Sequence, residues 1–222
     1  VIAIMHKDKM RPLWAEINLD HLAENVRNIK ALVGDSRLIA IVKADAYGHG
    51  AGYVSRALRD AGVSWFGVSN LDEAIQIREE GIKEPILIFG YTPPDQAFSL
   101  AQQDITQTVF NKEYAAQISG EAVKAGVSVD VHIKLDTGMS RIGFFCQDVN
   151  AVDSVCDDTE SVCSLSGLNA KGIFTHFACA DNQDEGFTRR QFERFQQVVS
   201  RMQSRGISFS LRHCCNSAAT IR

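Results

Sequence analysis

The chain has 222 residues and a formal net charge of −4, and this length is enough to bury the core of one α/β barrel. Its lysines and arginines form no dense cluster, which argues against a protein that binds nucleic acid. No apolar stretch approaches the length of a membrane span, and Val1–Met5 is too short for the core of a signal peptide.

Cysteine usage points to a reducing compartment. All six cysteines lie in the second half of the chain, and none of them forms a CxxC pair. In a chain of this size, that pattern favours reduced thiols in the core or in loops over a disulfide framework. Because no membrane-spanning or signal segment is recognisable, we expect a cytoplasmic protein.

The first residues of the chain precede its regular pattern. Residues 1–10 are interpreted as an extension, either natural or left over from cloning, and residues 11–222 as one domain. Residues 13–19 alternate apolar and polar side chains, which predicts a half-exposed strand in a small separate sheet. Asp20 is then the predicted N-cap of a helix, because apolar residues follow it at helical spacing.

From residue 38 onward, short apolar segments alternate with amphipathic ones. The apolar segments predict strands at 38–43, 64–69, 86–90, 105–110, 129–136, 171–177 and 209–215. The amphipathic segments predict helices near 51–61, 71–80, 95–102, 112–125, 147–156 and 187–205. Asn70 and Glu73 have the spacing of a capping box, and Gly81 and Gly206 are expected to end helices.

Strands that alternate with helices indicate a parallel sheet with right-handed crossovers. The pattern predicts an incomplete (β/α)8 barrel of the TIM type, preceded by the N-terminal strand. A closed barrel needs eight strands, and only seven are predicted before Arg222. We therefore expect the chain to be part of a larger protein. A doubly wound α/β sheet has the same periodicity and stays open as an alternative.

Lys43 is the most informative single residue. The apolar run Leu38–Val42 predicts a buried strand that ends at this lysine. The following Gly48-His49-Gly50 segment can bring backbone N–H groups close to an anion. An ammonium at a buried strand end is costly to desolvate, whereas a neutral amine there can form a Schiff base with an aldehyde. Pyridoxal phosphate (PLP) is therefore the first cofactor to consider.

Other polar residues also follow predicted strands. They are Tyr47 after the first strand, Lys134, Asp136 and Arg141 after the fifth, Thr175 and His176 after the sixth, and His213, Asn216 and Ser217 after the seventh. In a barrel, the carboxyl ends of all strands meet at one rim, where such folds carry their active sites. The spacing therefore predicts one site built from several strand ends.

Each of these residues also has a purely structural interpretation. The structural alternatives are a solvated Lys43, a loop-packing Tyr47, a hydrogen-bonded core His176, an Asp136–Arg141 ion pair, and a helix N-cap at Asn216 and Ser217. The sequence His213-Cys214-Cys215 is only a weak metal signal, because adjacent strand residues point to opposite faces and no further ligand cluster accompanies it. No metal is therefore expected.

Four segments together resemble the N-terminal barrel of PLP-dependent alanine racemases. They are Val42-Lys-Ala-Asp-Ala-Tyr-Gly-His-Gly50, Lys134-Leu-Asp-Thr-Gly-Met-Ser-Arg-Ile-Gly143, Thr175-His-Phe-Ala178 and Asn216-Ser217, in this order. The resemblance extends from about Arg11 to the end of the chain. It implies an isomerase that interconverts L-alanine and D-alanine by proton transfer at Cα and that supplies D-alanine for peptidoglycan.

The resemblance implies six cofactor-binding residues, which are Lys43, Tyr47, Arg141, His176, Asn216 and Ser217. Lys43 would hold PLP as an aldimine and act as one of two bases at Cα. Tyr47 and Ser217 would bind the phosphate, and Asn216 would be a further cofactor-binding residue. These assignments follow from the matching motifs and not from spacing alone.

The resemblance gives the remaining site residues supporting roles. Arg141 would contact the phenolic oxygen of PLP and the substrate carboxylate, and His176 would stack on the pyridine ring. Lys134 matches a position where family members often carry a carbamylated lysine that orients the arginine. His213 would support the site from behind, without contact with the substrate.

Two parts of the family's machinery have no counterpart in these residues. The second base is a tyrosine of a C-terminal β-domain that is contributed across a dimer interface, and an arginine on the eighth strand faces the pyridine nitrogen. The resemblance therefore implies a homodimer for the complete protein and an inactive fragment for this chain. The alternatives are a serine or broad-specificity racemase and, from another class, a non-catalytic single-domain PLP-binding homeostasis protein.

Overall fold

The computed structural model describes residues 15–222, and its centre is a curved parallel sheet. Seven strands pair in chain order, each with the next one along the chain, and every pair is parallel. They are β1 (Ile39–Ile41), β2 (Trp65–Val68), β3 (Ile86–Ile88), β4 (Ile105–Val109), β5 (Val129–Asp136), β7 (Leu168–Phe174) and β8 (Leu211–His213), and a short strand β6 (Phe144–Phe145) pairs only with the end of β5.

Helices connect these strands. They are α1 (Leu19–Val33), α2 (Ala51–Asp60), α3 (Leu71–Glu79), α4 (Ala97–Gln102), α5 (Lys112–Ala125), α6 (Val152–Cys163), α7 (Gly186–Ser204) and α8 (Ser217–Ile221). Short 3₁₀ turns at Pro94–Gln96 and Val149–Ala151 lead into α4 and α6. No helix within residues 15–222 combines the length and the apolar character that crossing a membrane requires.

The strand order confirms the predicted incomplete barrel. In a doubly wound sheet the strand order reverses near the middle, whereas here it follows the chain from β1 to β8 without reversal. Within the described residues, no pair joins β1 to β8, so the barrel is open between these two strands. The core lies between the sheet and the helices, and every residue of β2, β3 and β4 is buried.

Two local predictions are wrong. Residues 15–18 form no strand, and residues 13–14, like the extension at residues 1–10, lie outside the described residues. The first helix is capped by Asn18 and not by Asp20. The side-chain oxygen of Asn18 accepts hydrogen bonds from the backbone N–H groups of Asp20 (2.9 Å) and His21 (3.2 Å), so the helix begins two residues earlier than expected.

The helix predicted at 147–156 is displaced along the chain. The observed helix runs from Val152 to Cys163, after a 3₁₀ turn whose cap is Asp148. Asp148 accepts a hydrogen bond from the backbone N–H of Asn150 (2.9 Å), and this local contact favours a tight turn over a regular helix. The other predicted helices agree with the structure to within about two residues, which is the usual uncertainty of helix ends.

Candidate active site

Lys43 stands where β1 turns sharply into α2. The next four residues, Ala44 to Tyr47, all have left-handed backbone angles, with φ between 51° and 55°. A left-handed turn of non-glycine residues is strained by roughly 1–2 kcal/mol per residue. Such strain persists only where the surroundings enforce it, and it concentrates at functional sites. The structure therefore marks this turn as a candidate site independently of any motif.

Hydrogen bonds from outside the turn hold it in place. The backbone N–H of Ala44 donates to Oε1 of Glu73 (2.8 Å), and the backbone N–H of Ser69 donates to Oε2 of the same carboxylate (2.7 Å). Inside the turn, Oδ1 of Asp45 accepts a hydrogen bond from the backbone N–H of Ala51 (2.6 Å) and so begins α2. Glu73 thus joins the ends of β1 and β2.

Glu73 was assigned only a capping role from the sequence. Half of the capping box is present, because Oδ1 of Asn70 accepts a hydrogen bond from the backbone N–H of Glu73 (3.0 Å). The Glu73 side chain leaves the box and binds the turn beside Lys43 instead. The sequence signal was an acidic side chain at the start of a helix, but its partner is 29 residues away and cannot be inferred from local spacing.

Lys43 and Tyr47 are neighbours at the barrel rim. The Lys43 amine lies 6.0 Å from the centroid of the Tyr47 ring, within the range of a cation–π contact. Tyr47 is 62% exposed, so it does not pack the loop as its structural alternative required. Its hydroxyl and the half-buried amine both remain accessible to a ligand at the rim.

Lys134 extends into the interior of the barrel from the end of β5. Its side chain is only 3% exposed, and its amine donates a hydrogen bond to the backbone oxygen of Leu135 (2.7 Å). Burial lowers the pKa of Lys134 to about 8, with Asp136 raising it and Arg141 lowering it further. The neutral fraction near neutral pH is therefore larger than for an ordinary lysine, and only a neutral amine can react with carbon dioxide or an aldehyde.

Asp136 organises the loop that carries Arg141. Its carboxylate accepts hydrogen bonds from the backbone N–H groups of Gly138 (3.1 Å) and Ser140 (2.9 Å) and from the side chain of Gln147 (2.8 Å). No ion pair joins Asp136 to Arg141 among the described residues, so that structural alternative is wrong. Arg141 is exposed, and its guanidinium is held near the rim by a loop whose own carboxylate is already satisfied.

His176 lies where the charges of the site meet. Burial is the main cause that lowers its pKa, and the positive charges of Arg141, Lys134 and Lys43 lower it further. The carboxyl ends of β1, β5 and β7 lie on the same side of the parallel sheet, which is the arrangement that the sequence predicted. The imidazole is predominantly neutral near pH 7, because a lowered pKa disfavours the charged form.

Two further histidines, His132 and His213, lie next to each other. The His213 ring stacks on Phe174 with centroids 4.5 Å apart and 7° between the planes. Its Nε2 lies 3.0 Å from Nδ1 of His132. Burial first, then His132 and Lys134, hold the pKa of His213 well below its usual value, and burial lowers the pKa of His132 to about 4. Both imidazoles are therefore neutral and share one hydrogen bond.

His132 was missed by the sequence analysis. It is fully buried in the middle of β5, next to Trp65, and a Cβ placed on Gly172 would approach its ring to 2.5 Å. Its Nε2 has no hydrogen-bond partner among the described residues. A histidine between the apolar Val131 and Ile133 in a predicted buried strand was the available signal, since ionisable side chains with shifted pKa values cluster at functional sites.

Gln191 is a second missed residue, and it fixes the loops after β5 and β7. Its side-chain oxygen accepts a hydrogen bond from the backbone N–H of Ala178 (2.9 Å), and its amide nitrogen donates to the backbone oxygen of His176 (3.2 Å). It is fully buried on α7. Its spacing from the site in sequence gives no hint of these contacts.

Asn216 and Ser217 begin the short helix α8. Oδ1 of Asn216 accepts a hydrogen bond from the backbone N–H of Ala219 (3.0 Å), so the predicted N-cap is confirmed for Asn216. The Ser217 side chain is exposed beyond this cap. The structural role of Asn216 leaves its side-chain nitrogen available to a ligand.

The donor set fits the chemistry of PLP. An amine at Lys43 suits the aldehyde, and the hydroxyls of Tyr47 and Ser217 suit a phosphate. The guanidinium of Arg141, whose charge also acts on His176, suits a remaining anionic oxygen. These groups follow different parallel strands, and the carboxyl ends of such strands lie at one rim of the barrel.

Comparisons with known proteins identify the family to which the chain belongs. The chain matches the family described as "Alanine racemase, N-terminal domain" over residues 17–222. It is 45% identical to the alanine racemase of Desulforamulus reducens over 209 residues, which is 94% of this chain and 55% of that protein. The structure resembles that of the alanine racemase of Clostridium difficile 630 in complex with cycloserine, with a TM-score of 0.88, 36% identity, and coverage of 95% of this chain and 57% of that one.

A similar structure belongs to a racemase that is named for a different amino acid. The structure resembles the histidine racemase of Leuconostoc mesenteroides with a TM-score of 0.82 and 25% identity, over 91% of this chain and 52% of that one. The chain spans about half the length of the curated relatives it matches. The matched residues 17–222 include every strand and every candidate site residue described above, and the chain belongs to the alanine racemase N-terminal domain family.

Proposed function

We propose that this chain is the PLP-binding barrel of an amino-acid racemase that interconverts L-alanine and D-alanine. The observation that carries the proposal is that Lys43, Lys134 and His176 stand at or just beyond the carboxyl ends of β1, β5 and β7, which lie in one parallel sheet and share one rim of the barrel. Membership in the alanine racemase family supports the same reaction. In the complete protein we propose a cytoplasmic homodimer that supplies D-alanine for peptidoglycan.

The residues of this chain divide the work of inversion at Cα. Bound PLP supplies an electron-withdrawing ring that acidifies the Cα–H of an attached amino acid. The Lys43 amine, half-buried at the end of β1, is placed to move the Cα proton on one face. Arg141 would hold the substrate carboxylate, and Tyr47, Asn216 and Ser217 would hold the phosphate. A base on the opposite face is also needed, and we propose that the partner subunit provides it.

Lys134 is proposed to reach its working form by carbamylation. Its pKa of about 8 leaves neutral amine available, and reaction with carbon dioxide would replace a buried cation by an anion. That anion would attract the Arg141 guanidinium and fix its direction toward a substrate carboxylate. The neutral His176 beside them would stack on the pyridine ring without adding a further positive charge.

Covalent capture tests the cofactor assignment. The chain is incubated with PLP, reduced with borohydride and mapped by peptide mass spectrometry. We expect the pyridoxyl group on Lys43, and we expect Lys43→Ala to lose it while the exposed Lys124→Ala retains it. A label that stays on another lysine in Lys43→Ala would contradict the assignment.

Turnover by the complete protein tests the reaction. The complete reading frame that encodes this chain is expressed, and formation of the D-isomer is followed separately for L-alanine, L-serine and L-histidine. We expect alanine to give the highest rate. The histidine racemase neighbour favours broad specificity as the second candidate, and comparable rates with all three substrates would establish it. Binding of PLP without racemisation of any of them would instead favour the homeostasis protein.

A further inference from the structure

Cys214 and Cys215 form a pair of neighbouring thiols that the proposed reaction does not use. They follow the end of β8 at His213 and precede the helix cap Asn216. Adjacent residues in a strand point their side chains to opposite faces. Here the strand has ended, and the two Sγ atoms lie 3.8 Å apart. The separation exceeds an S–S bond of about 2.0 Å, and both thiols are free.

The two thiols are chemically unequal. Cys214 is half-buried and packs against the core, whereas Cys215 is exposed. The hydrogen bond between them lowers the pKa of the Cys215 thiol to about 7 and raises that of Cys214. An exposed cysteine with a lowered pKa presents its thiolate near neutral pH, which is the nucleophilic form. The second thiol is already positioned to close a ring after the first bond forms.

The surroundings limit which ligand this pair can take. No cluster of three or more His, Cys, Asp and Glu side chains suited to a metal ion exists in the part of the chain that the structure describes. A tetrahedral zinc site needs four ligands, of which these thiols supply two. A soft atom that already carries one substituent and needs only two thiolates as further ligands matches the pair better.

We propose that Cys214 and Cys215 form a vicinal-dithiol site that binds monosubstituted arsenic(III) compounds. An organoarsenic oxide reacts with both thiols. Two As–S bonds form, while the As=O bond and two S–H bonds break. The oxygen leaves with both protons as water. Arsenic stays trivalent, so no oxidant or reductant is needed. This site is independent of the proposed racemase function, although it directly precedes the residues assigned to the phosphate.

The other cysteines are poorer candidates for a bridge. Cys146 and Cys156 are buried, and burial raises the pKa of both thiols. Cys163 is partly buried, and burial raises the pKa of its thiol to about 11. Cys179 is partly buried and has no sequence neighbour that is a cysteine. It therefore provides the matched control for reaction at a single thiol.

Phenylarsine oxide is the probe for this site. The reduced 222-residue chain is treated with one equivalent, and the adduct is located by intact-mass and peptide mass spectrometry. We expect one arsenic bound to the peptide that contains Cys214 and Cys215. The adduct should resist 2-mercaptoethanol and be removed by dithiothreitol, because a chelate is tighter than a single bond to one thiol by about 10²-fold or more.

Single substitutions distinguish a bridge from two independent thiols. Cys214→Ser and Cys215→Ser should each lose the thiol-resistant adduct, whereas Cys179→Ser should retain it. If Cys214→Ser fails to fold, Cys214→Ala replaces it in the same assay, and the exposed Cys215 provides the decisive variant. An adduct that survives 2-mercaptoethanol in the Cys215→Ser chain, that maps to other cysteines, or that never forms in the unsubstituted chain would overturn the proposal.

Discussion

Lys134 carries its amine into the interior of the barrel, where burial lowers its pKa to about 8 from an ordinary value of 10.5. The folded state therefore disfavours the ammonium, and between these two pH values the unfolded chain binds more protons. Stability rises with pH wherever the unfolded chain binds more protons. Below pH 8 the folded protein carries the full cost of the buried charge, which is relieved as the pH rises toward 10.5.

We therefore expect Lys134→Met to be more stable than the unsubstituted chain at pH 7 by up to about 3 kcal/mol, since each pKa unit corresponds to about 1.4 kcal/mol. The difference should shrink as the pH rises from 8 to 10. Urea unfolding in carbonate-free buffer measures it, with the exposed Lys83→Met as the control. If the difference in unfolding free energy between Lys134→Met and the unsubstituted chain is the same at pH 8 and at pH 10, burial does not lower the pKa of the Lys134 amine.

The pair His132 and His213 makes a prediction of the same sign at acid pH. Both side chains are buried neutral, and the pKa of His132 is lowered to about 4 from 6.5. Between these values the unfolded chain binds more protons, so stability is present above pH 6.5 and is lost as the pH falls toward 4. His132→Asn should have a shallower decline, smaller by about 3 kcal/mol over this range, when urea unfolding is compared at pH 7 and pH 4.5.

The exposed His49→Asn serves as the control for this experiment. Its unfolding free energy should decline with pH like that of the unsubstituted chain, because its imidazole is already in contact with water. If His132→Asn declines as steeply as the control, the neutral pair does not cause the acid sensitivity. A lower stability of His132→Asn at pH 7 alone would not decide the question, since removing a core side chain leaves a cavity.

At the scale of elements, hydrophobic periodicity was sufficient to predict most strands and helices. The strands β2 and β3 are continuous apolar runs because helices cover their outer faces, and such runs stand out from amphipathic helices. The left-handed turn after Lys43 was not predicted. Its residues have no composition that requires positive φ, and the turn depends on Glu73, which is distant in the sequence.

Glu73 should therefore be essential for that turn. Glu73→Ala removes the acceptor of two backbone N–H groups, and hydrogen bonds to a charged group contribute about 1.5–3 kcal/mol each. We expect a loss of about 2–4 kcal/mol in unfolding free energy, together with weaker PLP labelling of Lys43 after borohydride reduction. Asp72→Ala is the matched control, because Asp72 lies in the same helical turn, is exposed, and shares the favourable interaction with the helix dipole.

The two measurements separate positioning from stability. If Glu73→Ala is destabilised but labels Lys43 as efficiently as Asp72→Ala, then Glu73 contributes to folding without orienting the lysine. Glu73→Gln keeps one acceptor oxygen and should recover part of the labelling, because one of the two N–H groups remains paired. No recovery in Glu73→Gln would indicate that the negative charge and not the hydrogen bonds fixes the turn.

For the whole molecule, the alternation of strands and helices predicted the parallel barrel, and the number of strands predicted that it is incomplete. The clustering of the site also followed, since the carboxyl ends of parallel barrel strands share one rim. Contacts behind that rim did not follow. The packing of His132 against His213 joins residues 81 positions apart, and the bridging by Gln191 depends on how α7 lies across two loops.

The open barrel has a consequence for association. Within residues 15–222, the outer edges of β1 and β8 pair with no other strand, and unpaired edges favour pairing with a second chain. We expect concentration-dependent dimers of this chain in light scattering coupled to size exclusion.

On β1, the side chain of Ile41 is 37% exposed, and Ile41→Lys should weaken association by about tenfold, a cost of about 1.4 kcal/mol. Leu32→Lys places the same charge on a more exposed side chain (56%) of the helix α1, which is not part of either edge strand. It should leave association unchanged. Equal weakening by both substitutions would assign the contact to the helical surface, and a monomer at every concentration would show that the strand edges are protected.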